Sequence, residues 1–155
     1  MKVAEALAER KALQDRLASL TTRARKNVLV TEGRQPLESP DTLLKEITAT
    51  LELWEKRVVQ INRANSQIIL PNGMTLMEAI IRRDAITRHI GVYSGLLSVD
   101  GSPEWRGMVP HEVRPMIPAI DLSLLQQKVD DLTMERMNLD LAIQEAGWTH
   151  ELLED

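Results

Sequence analysis

The side chains that most often bind metals or transfer protons at neutral pH are scarce in this sequence. It contains three histidines, His89, His111 and His150, and no cysteine. No two histidines have the three- or four-residue spacing that places two ligands on one face of a helix. Asp84 precedes His89 by five residues, which points their side chains about 140° apart on a helix. The sequence therefore predicts no metal site and no cofactor.

Motifs for nucleophilic or phosphate chemistry are not evident either. Asp130 and Asp131 are adjacent carboxylates, but neighbours on a helix point in different directions and do not act as a catalytic pair. We find no nucleophile elbow, phosphate-binding loop or dinucleotide fingerprint. The sequence therefore predicts a protein that is not an enzyme.

One set of polar residues supports a competing interpretation. Asn62, Arg63, Asn65, Arg83 and Asp84 flank the predicted turn between the second and third helices. A guanidinium–carboxylate pair with nearby amides can bind an anionic ligand or belong to an enzyme site. The same residues can form a salt bridge that only fixes the turn. The sequence leaves both open and identifies no small-molecule ligand.

The elements that position these residues are predicted to be long helices. The chain has 155 residues, 43% of them hydrophobic, but no Phe and a single Tyr. Aliphatic side chains must therefore fill the core, as is typical of helical bundles and coiled coils. We expect a single all-α domain over residues 1–155, with four long helices in antiparallel hairpins. The predicted helices are 3–27, 40–65, 75–97 and 122–146.

Helix-starting and helix-ending residues give these boundaries. Ser39 before Pro40 and the Thr75–Glu78 box are typical helix starts, and Asp121 or Ser123 can cap the fourth helix. Gly147 is expected to end it. Residues 99–120 contain four prolines and are predicted to form an irregular arm. Asn72-Gly73 predicts a small β-hairpin after the second helix.

The second helix carries an uninterrupted stripe that needs a covering partner. Its members repeat at intervals of three or four residues: Leu44, Ile47, Leu51, Trp54, Val58, Ile61 and Asn65. Such spacing places them on one face of a helix. Either another part of this chain or a second copy must cover that face. A monomeric bundle and two splayed hairpins closed by oligomerisation fit this pattern about equally well, and we predict the homo-oligomer.

Polar or bulky residues within the apolar stripes are expected to determine register or oligomeric state. Arg10 and Arg136 interrupt the stripes of the first and fourth helices, as Asn65 does in the second. Trp54 lies within the second stripe, and Trp148, with Leu152 and Leu153, is expected to fold back as an apolar tail. The alternative for the two arginines is that they extend to solvent at the bundle edge.

Charge is distributed unevenly along the chain. Residues 1–29 have seven Lys/Arg and three Asp/Glu, whereas residues 121–155 have two and nine. We expect the first and fourth helices to pair through these opposite charges. The overall charge of −4 argues against nucleic-acid binding. The start of the chain lacks the apolar segment of a signal peptide, and no run is long enough to span a membrane. We therefore expect a cytoplasmic protein and no membrane partner.

Several short stretches together resemble the septicolysin-like family of uncharacterised bacterial proteins. They are Val30-Thr31-Glu32-Gly33 with Pro36, Ile61-Asn62-Arg63 with Asn65, Gly73 with Thr75-Leu76 and Ala79, Arg83-Asp84, Leu125-Gln126 with Val129-Asp130, and Ile143-Gln144-Glu145 with Trp148-Thr149 and Leu152. The sequence departs from the family pattern at Ala64, where Thr is usual, and at Gly147, where Asn is common. The resemblance implies an all-helical fold without established enzyme activity or cofactor, and the family name suggests a cytolysin.

Three functions are consistent with these features. The first is a cytoplasmic homo-oligomer with a binding or scaffolding role, which the stripes favour. The second is a pore-forming or membrane-active protein that rearranges to expose residues 68–81. The third is an enzyme or anion-binding protein that uses Asn62, Arg63, Arg83 and Asp84.

Overall fold

The described part of the protein consists of four long α-helices. The computed structural model describes residues 1–99 and 116–152, and contains α1 (Val3–Asn27), α2 (Pro40–Gln67), α3 (Leu76–Leu97) and α4 (Leu122–Thr149). Within those ranges it has no β-strand, only two isolated antiparallel bridges. The predicted all-α fold is confirmed. None of the described helices is both long enough and apolar enough to cross a bilayer.

The helices begin at the capping residues that the sequence indicated. The Thr42 N–H donates to the Ser39 hydroxyl at 3.4 Å, and Pro40 is the first residue of α2. Before α3, the Glu78 N–H donates to the Thr75 hydroxyl at 3.1 Å, while the Thr75 N–H donates to the Glu78 carboxylate at 2.7 Å. Each cap satisfies backbone N–H groups that have no partner within the first turn.

α4 begins at one of its two predicted caps but continues beyond its predicted end. Its cap is Asp121, which accepts from the Leu124 N–H at 3.0 Å. Gly147 does not end the helix, which runs on to Thr149. A Cβ placed on Gly147 would lie 3.7 Å from the Cβ of Ala4. This is an ordinary van der Waals distance, so Gly147 packs beside the start of α1 at a position where a Cβ would also fit.

The chain divides into two compact units. Unit 1 comprises Met1–Glu78 and Ala142–Asp155, and unit 2 comprises Ala79–Leu141. Of the predicted arm, Val99 and residues 116–120 are described and are not helical. Residues 100–115, which include His111, and Leu153 lie outside the described residues.

Unit 1 is built on an antiparallel pair, because α1 packs along α2 in opposite directions. Three ion pairs establish the direction: Arg23 with Glu38, Arg16 with Glu46 at 3.7 Å, and Arg57 with Glu9 at 2.8 Å. Two basic residues of α1 are thus paired within the hairpin. The sequence also predicted ion pairs between the first and fourth helices. Unit 1 contains the ion pair between Lys2 and Glu151, at 3.2 Å, whose residues lie just outside these two helices.

The two ends of the described chain close unit 1. The Val3 N–H donates to the His150 carbonyl at 3.1 Å, and the Leu152 N–H donates to the Met1 carbonyl at 2.8 Å. The side chains of Val3 and Leu152 are both buried. The start of α1 and the segment after α4 therefore stabilise each other.

The short hairpin after α2 is also part of unit 1. Ile69 and Thr75 form an antiparallel bridge, and the Leu70 N–H donates to the Met74 carbonyl at 2.8 Å. Gly73 occupies the turn with a φ of +83°, a conformation that favours glycine. The predicted Asn-Gly turn is present as a single bridge with buried Ile68 and Leu70 beside it.

Unit 2 is a second antiparallel pair, formed by α3 and α4. Arg83 of α3 contacts Asp140 of α4 at 3.6 Å, whereas His89 and Tyr93, later in α3, line a recess with Lys128 and Asp131, earlier in α4. The two helices therefore run in opposite directions. Arg82 also contacts Glu135 at 2.8 Å. These two ion pairs join α3 to α4. Buried aliphatic side chains lie on both helices of the pair: Ala79, Ile86, Leu125, Val129 and Leu139.

Candidate functional site

Buried apolar side chains repeat at helical spacing on three of the four helices. On α1 they are Val3, Ala6, Leu13 and Leu20. On α3 and α4 they include Ala79, Ile86, Leu125, Val129 and Leu139. On α2 the pattern is different. The side of α2 that faces α1 lies next to the predicted stripe and does not coincide with it.

The buried side of α2 contains polar residues whose hydrogen bonds are made locally. Its members are Leu43, Thr50, Gln60, Ile61 and Ala64. The Thr50 hydroxyl donates to the Glu46 carbonyl at 2.7 Å. Arg57 donates to the Gln60 side-chain oxygen at 2.8 Å and forms the ion pair with Glu9. Satisfied polar groups can be buried at little cost, so hydropathy alone does not identify the side of α2 that packs against α1.

The apolar stripe of α2 is consequently left partly uncovered. Leu44 is 57% exposed and Leu51 is 42% exposed. Ile47, Trp54 and Val58 are half-buried, and only Ile61 of the seven stripe residues is buried. A contiguous apolar surface of this kind on a helix usually marks an interaction site. We call Leu44, Ile47, Leu51, Trp54 and Val58 the α2 stripe.

A groove between α1 and α2 borders the α2 stripe. It has a volume of about 530 Å³ and is lined by Gln14, Leu17, Ala18, Thr21, Thr22, Arg25, Leu51 and Trp54. The hydroxyls of Thr21 and Thr22 donate to carbonyls within α1, which leaves their methyl groups to line the groove. Leu17 and Ala18 add aliphatic surface. The groove is thus suited to apolar side chains.

The spacing of apolar residues predicted Leu51 and Trp54 on the α2 wall of the groove but, apart from Leu17, not its α1 wall. The α1 residues recur at three- and four-residue intervals between positions 14 and 25. That spacing was the available signal, but apart from Leu17 these residues are polar or small and form no apolar stripe. The antiparallel pairing with α2 is what turns them into a groove wall.

Two of the predicted register determinants contain a buried donor without an acceptor. The indole N–H of Trp54 and the Nε–H of Arg10 are inaccessible and have no hydrogen-bond partner in the described part of the chain. Arg57 Nε also lacks a hydrogen-bond partner there, although Arg57 Nη1 donates to Gln60 and Nη2 pairs with Glu9. An unsatisfied buried donor costs about 1–3 kcal/mol. The helix pair of unit 1 is therefore not optimised as an isolated hairpin.

The other two predicted determinants differ in burial. Arg136 is half-buried on α4 of unit 2, within the row formed by Val129 and Leu139. Trp148 is 66% exposed, whereas Leu152 is buried. Of the predicted apolar tail, Leu152 therefore folds back within unit 1 and Trp148 faces solvent.

The predicted polar cluster falls in both units. Asn62 and Arg63 are exposed on α2 and Asn65 is half-buried there, all in unit 1. Arg83 and Asp84 belong to unit 2, where they form an ion pair at 2.8 Å. Because Arg83 also contacts Asp140, its guanidinium serves as a structural link between α3 and α4.

Unit 2 has a smaller recess with ionisable side chains. It has a volume of about 260 Å³ and is lined by His89, Tyr93, Lys128, Asp131, Leu132 and Glu135. The rings of His89 and Tyr93 are 4.4 Å apart between centroids. None of the lining residues is buried, and Glu135 is already paired with Arg82. Within residues 1–99 and 116–152, no three His, Asp or Glu side chains are grouped to hold a metal ion.

Comparison with other proteins gives a family and a structural neighbour. Residues 10–152 match a sequence family described as a family of unknown function, DUF6847. The fold is similar to the crystal structure of a functionally unknown conserved protein from Corynebacterium diphtheriae. The identity is 31%, the match covers 99% of each chain, and the TM-score is 0.86. No curated protein matches the sequence.

Proposed function

Since the chain belongs to DUF6847, a family of unknown function, we propose from its structure that it is a cytoplasmic helical homo-oligomer. Its role in this proposal is binding or scaffolding, without catalysis. The observation that supports it is the α2 stripe, which α1 leaves partly exposed. A second copy is a partner that is always present at the same concentration as the chain itself.

The magnitude of the exposed surface supports an interaction of moderate strength. Full burial of a Leu side chain stabilises by about 1.5–3 kcal/mol. Leu44 and Leu51 are roughly half exposed, so covering each would contribute about 1 kcal/mol. A symmetric dimer doubles this contribution, and the half-buried neighbours add to it. Micromolar association requires about 8 kcal/mol, so the adjoining groove must also be covered.

The ionisable groups support a structural role better than a catalytic one. Arg16, Arg23, Arg57, Arg82 and Arg83 all form ion pairs within their own unit. These pairs connect neighbouring helices and do not converge on a cavity. The anion-binding alternative requires the Arg83 guanidinium, which Asp84 and Asp140 already contact.

Sedimentation equilibrium at micromolar concentration tests the proposal. We expect the native chain to be oligomeric and the double variant Leu44→Glu, Leu51→Glu to be monomeric, because carboxylates on the α2 stripe cannot be buried without a partner. Leu37→Glu is the matched control, since Leu37 is fully exposed and lies outside α2. A monomeric native chain would contradict the proposal. Cell fractionation tests the cytoplasmic location.

The membrane-active alternative has a separate test. It requires exposure of residues 68–81, but Ile68, Leu70 and Leu76 are buried in unit 1. Their packing would have to be lost before the segment could enter a bilayer. Dye release from anionic and neutral liposomes measures this directly, and the absence of leakage would eliminate the alternative.

A further inference from the structure

We propose that the α1–α2 loop, residues 28–39, inserts its aliphatic side chains into the surface of an anionic lipid bilayer. The loop connects the two helices of the hairpin in unit 1. Three features support this role: the exposure of its aliphatic side chains, the hydrogen bonds that hold its backbone, and the cations next to it. The proposal goes beyond the function proposed above and does not depend on the oligomeric state.

Every Val and Leu side chain of the α1–α2 loop is exposed to solvent. The exposed fraction falls from 100% to 49% in the order Leu37, Leu29, Val28 and Val30. The hairpin after α2 differs, because Ile68 and Leu70 of that connection are buried. Exposure is therefore not a general property of the connections in unit 1. A group of exposed aliphatic side chains marks an interaction surface.

Hydrogen bonds hold the backbone of the α1–α2 loop. The Arg34 N–H donates to the Thr31 carbonyl at 2.9 Å, and Gly33 between them has a φ of +81°. Where the loop returns to α2, the Glu38 N–H donates to the side-chain oxygen of Asn27 at 3.0 Å. A loop that is already ordered loses little conformational entropy when it binds. The aliphatic side chains are thus presented without a folding step.

Three cations adjoin these aliphatic side chains. Arg25 and Lys26 lie in the last turn of α1, within one helical turn of Val28, and Arg34 lies in the loop itself. All three are exposed, and none forms an ion pair with a described residue. Exposed aliphatic groups with neighbouring Lys and Arg are typical of segments that lie in the interface of an anionic bilayer.

Acidic groups near the loop weaken this attraction but do not reverse it. Glu38 is paired with Arg23, and Asp41 lies in the first turn of α2, where the helix dipole favours a carboxylate. Glu32 is exposed in the loop. Residues 23–41 contain four Lys/Arg and three Asp/Glu, a net charge of +1 in a chain of −4. The cations therefore favour an anionic surface, while the aliphatic side chains supply most of the affinity.

Insertion into the bilayer interface does not require a membrane-spanning helix. The sequence-based expectation of no membrane partner rested on the lack of an apolar run long enough to cross a bilayer. A segment that enters only the headgroup region needs a few apolar side chains and nearby cations instead. The cytoplasmic leaflet carries the anionic lipids, which is consistent with the location proposed above.

Co-sedimentation with vesicles tests the proposal. The native chain is expected to bind vesicles of phosphatidylglycerol and phosphatidylcholine more tightly than vesicles of phosphatidylcholine alone, and less tightly as salt is added. The double variant Leu29→Ser, Leu37→Ser should bind the anionic vesicles about ten-fold or more weakly, because two aliphatic side chains no longer leave water. Leu53→Ser is the matched control, since Leu53 is also exposed but lies within α2.

Charge variants should change the affinity in opposite directions. The double variant Arg25→Gln, Lys26→Gln should weaken binding to the anionic vesicles by about ten-fold or more, since each cation near the surface contributes about five-fold. Glu32→Gln should strengthen it by about two-fold or more, because a repulsion is removed. Neither change should affect binding to phosphatidylcholine alone. Circular dichroism verifies that each variant keeps its helices.

Tryptophan fluorescence distinguishes insertion from adsorption by charge alone. With anionic vesicles, Leu29→Trp should add an emission that shifts to shorter wavelength, because the indole leaves water, whereas Leu53→Trp should not. The vesicles should retain an entrapped dye, since the loop does not cross the bilayer. Dye release would instead support the membrane-active alternative and overturn the proposal.

The outcomes separate this proposal from the proposed function. Binding that requires Leu29 and Leu37 and favours anionic lipid supports insertion of the loop. Equal binding to both kinds of vesicle, or binding that survives the serine substitutions, overturns it. Absence of vesicle binding also overturns it and would assign the exposed side chains to a protein partner. A monomer by sedimentation equilibrium overturns the homo-oligomer alone, because one loop can insert without a second copy.

Discussion

At the scale of single residues, Asn27 connects the end of α1 to the start of α2. Its side chain is buried, its Nδ2 donates to the Arg23 carbonyl at 2.9 Å, and its Oδ1 accepts from the Glu38 N–H at 3.0 Å. Arg23 and Glu38 also form an ion pair across the same corner. One amide thus satisfies a backbone group of α1 and one of the segment that leads into α2.

Replacement of Asn27 should therefore weaken the fold. Asn27→Ala leaves the Glu38 N–H and the Arg23 carbonyl without this partner, and we expect a loss of about 1–3 kcal/mol in the free energy of unfolding. Urea denaturation measures it. Asn27→Asp is the comparison, because it retains the acceptor for Glu38 and should cost less. Equal stability of Asn27→Ala and the native chain would show that the corner does not depend on this amide.

Sequence pattern alone could not reveal the role of Asn27. It identified the end of α1 near this residue, but an Asn at a helix end is usually exposed, and its acceptor function depends on where Glu38 returns. Trp54 shows the opposite case. Its place in an apolar stripe was evident from spacing, whereas the groove beside it depends on residues of α1 that have no apolar pattern.

At the scale of secondary-structure elements, the helix starts were the most predictable features. Ser39 with Pro40 and Thr75 with Glu78 act on their own backbone within four residues, so tertiary structure is not needed to interpret them. The end of α4 was less predictable, because Gly147 has the residue type of a helix stop but packs near Ala4. The side of α2 that α1 covers was also less predictable, since Thr50 and Gln60 are polar but have hydrogen-bond partners when buried.

Two glycines in α3 provide a test at this scale. A Cβ on Gly91 or Gly95 would meet no atom within 4 Å among the described residues, and both positions are helical. Gly91→Ala and Gly95→Ala should each stabilise the chain by about 0.5–1 kcal/mol, because alanine loses less backbone entropy in a helix. Thermal denaturation of each variant measures the effect.

Gly73→Ala is the control for these substitutions. It also has open space around it, but its φ is +83°, which strains any residue with a Cβ. We expect that variant to be destabilised by about 1 kcal/mol. Destabilisation at Gly91 or Gly95 would instead indicate that another chain approaches the small face of α3.

At the scale of the whole molecule, three carboxylates connect stability to pH. The Arg23 side chain lowers the pKa of Glu38, hydrogen bonds from Thr75 lower the pKa of Glu78, and Lys2 lowers the pKa of Glu151. The ordinary value is 4.5. Because each folded-state pKa lies below the unfolded value, the stabilisation is complete above that value and is lost as pH falls through the folded-state pKa.

We therefore expect the melting temperature to fall as the pH decreases below about 5. The triple variant Glu38→Gln, Glu78→Gln, Glu151→Gln should start from a lower melting temperature at pH 7 and lose less on acidification. Scanning calorimetry between pH 7 and pH 3 measures both slopes. Parallel slopes for the native and variant chains would show that other carboxylates dominate the acid response.

The closure of unit 1 by residues from both ends of the described chain has a consequence during synthesis. In the sequence, unit 2 lies between the two segments of unit 1. The ribosome therefore produces every residue of unit 2 before the last segment of unit 1. At about 5–20 residues per second, Val3 and Ala6 emerge many seconds before Leu152. The segment after α4 that packs against the start of α1 is therefore absent for most of translation. During that time the start of α1 is incompletely buried, and we expect chaperones to bind there.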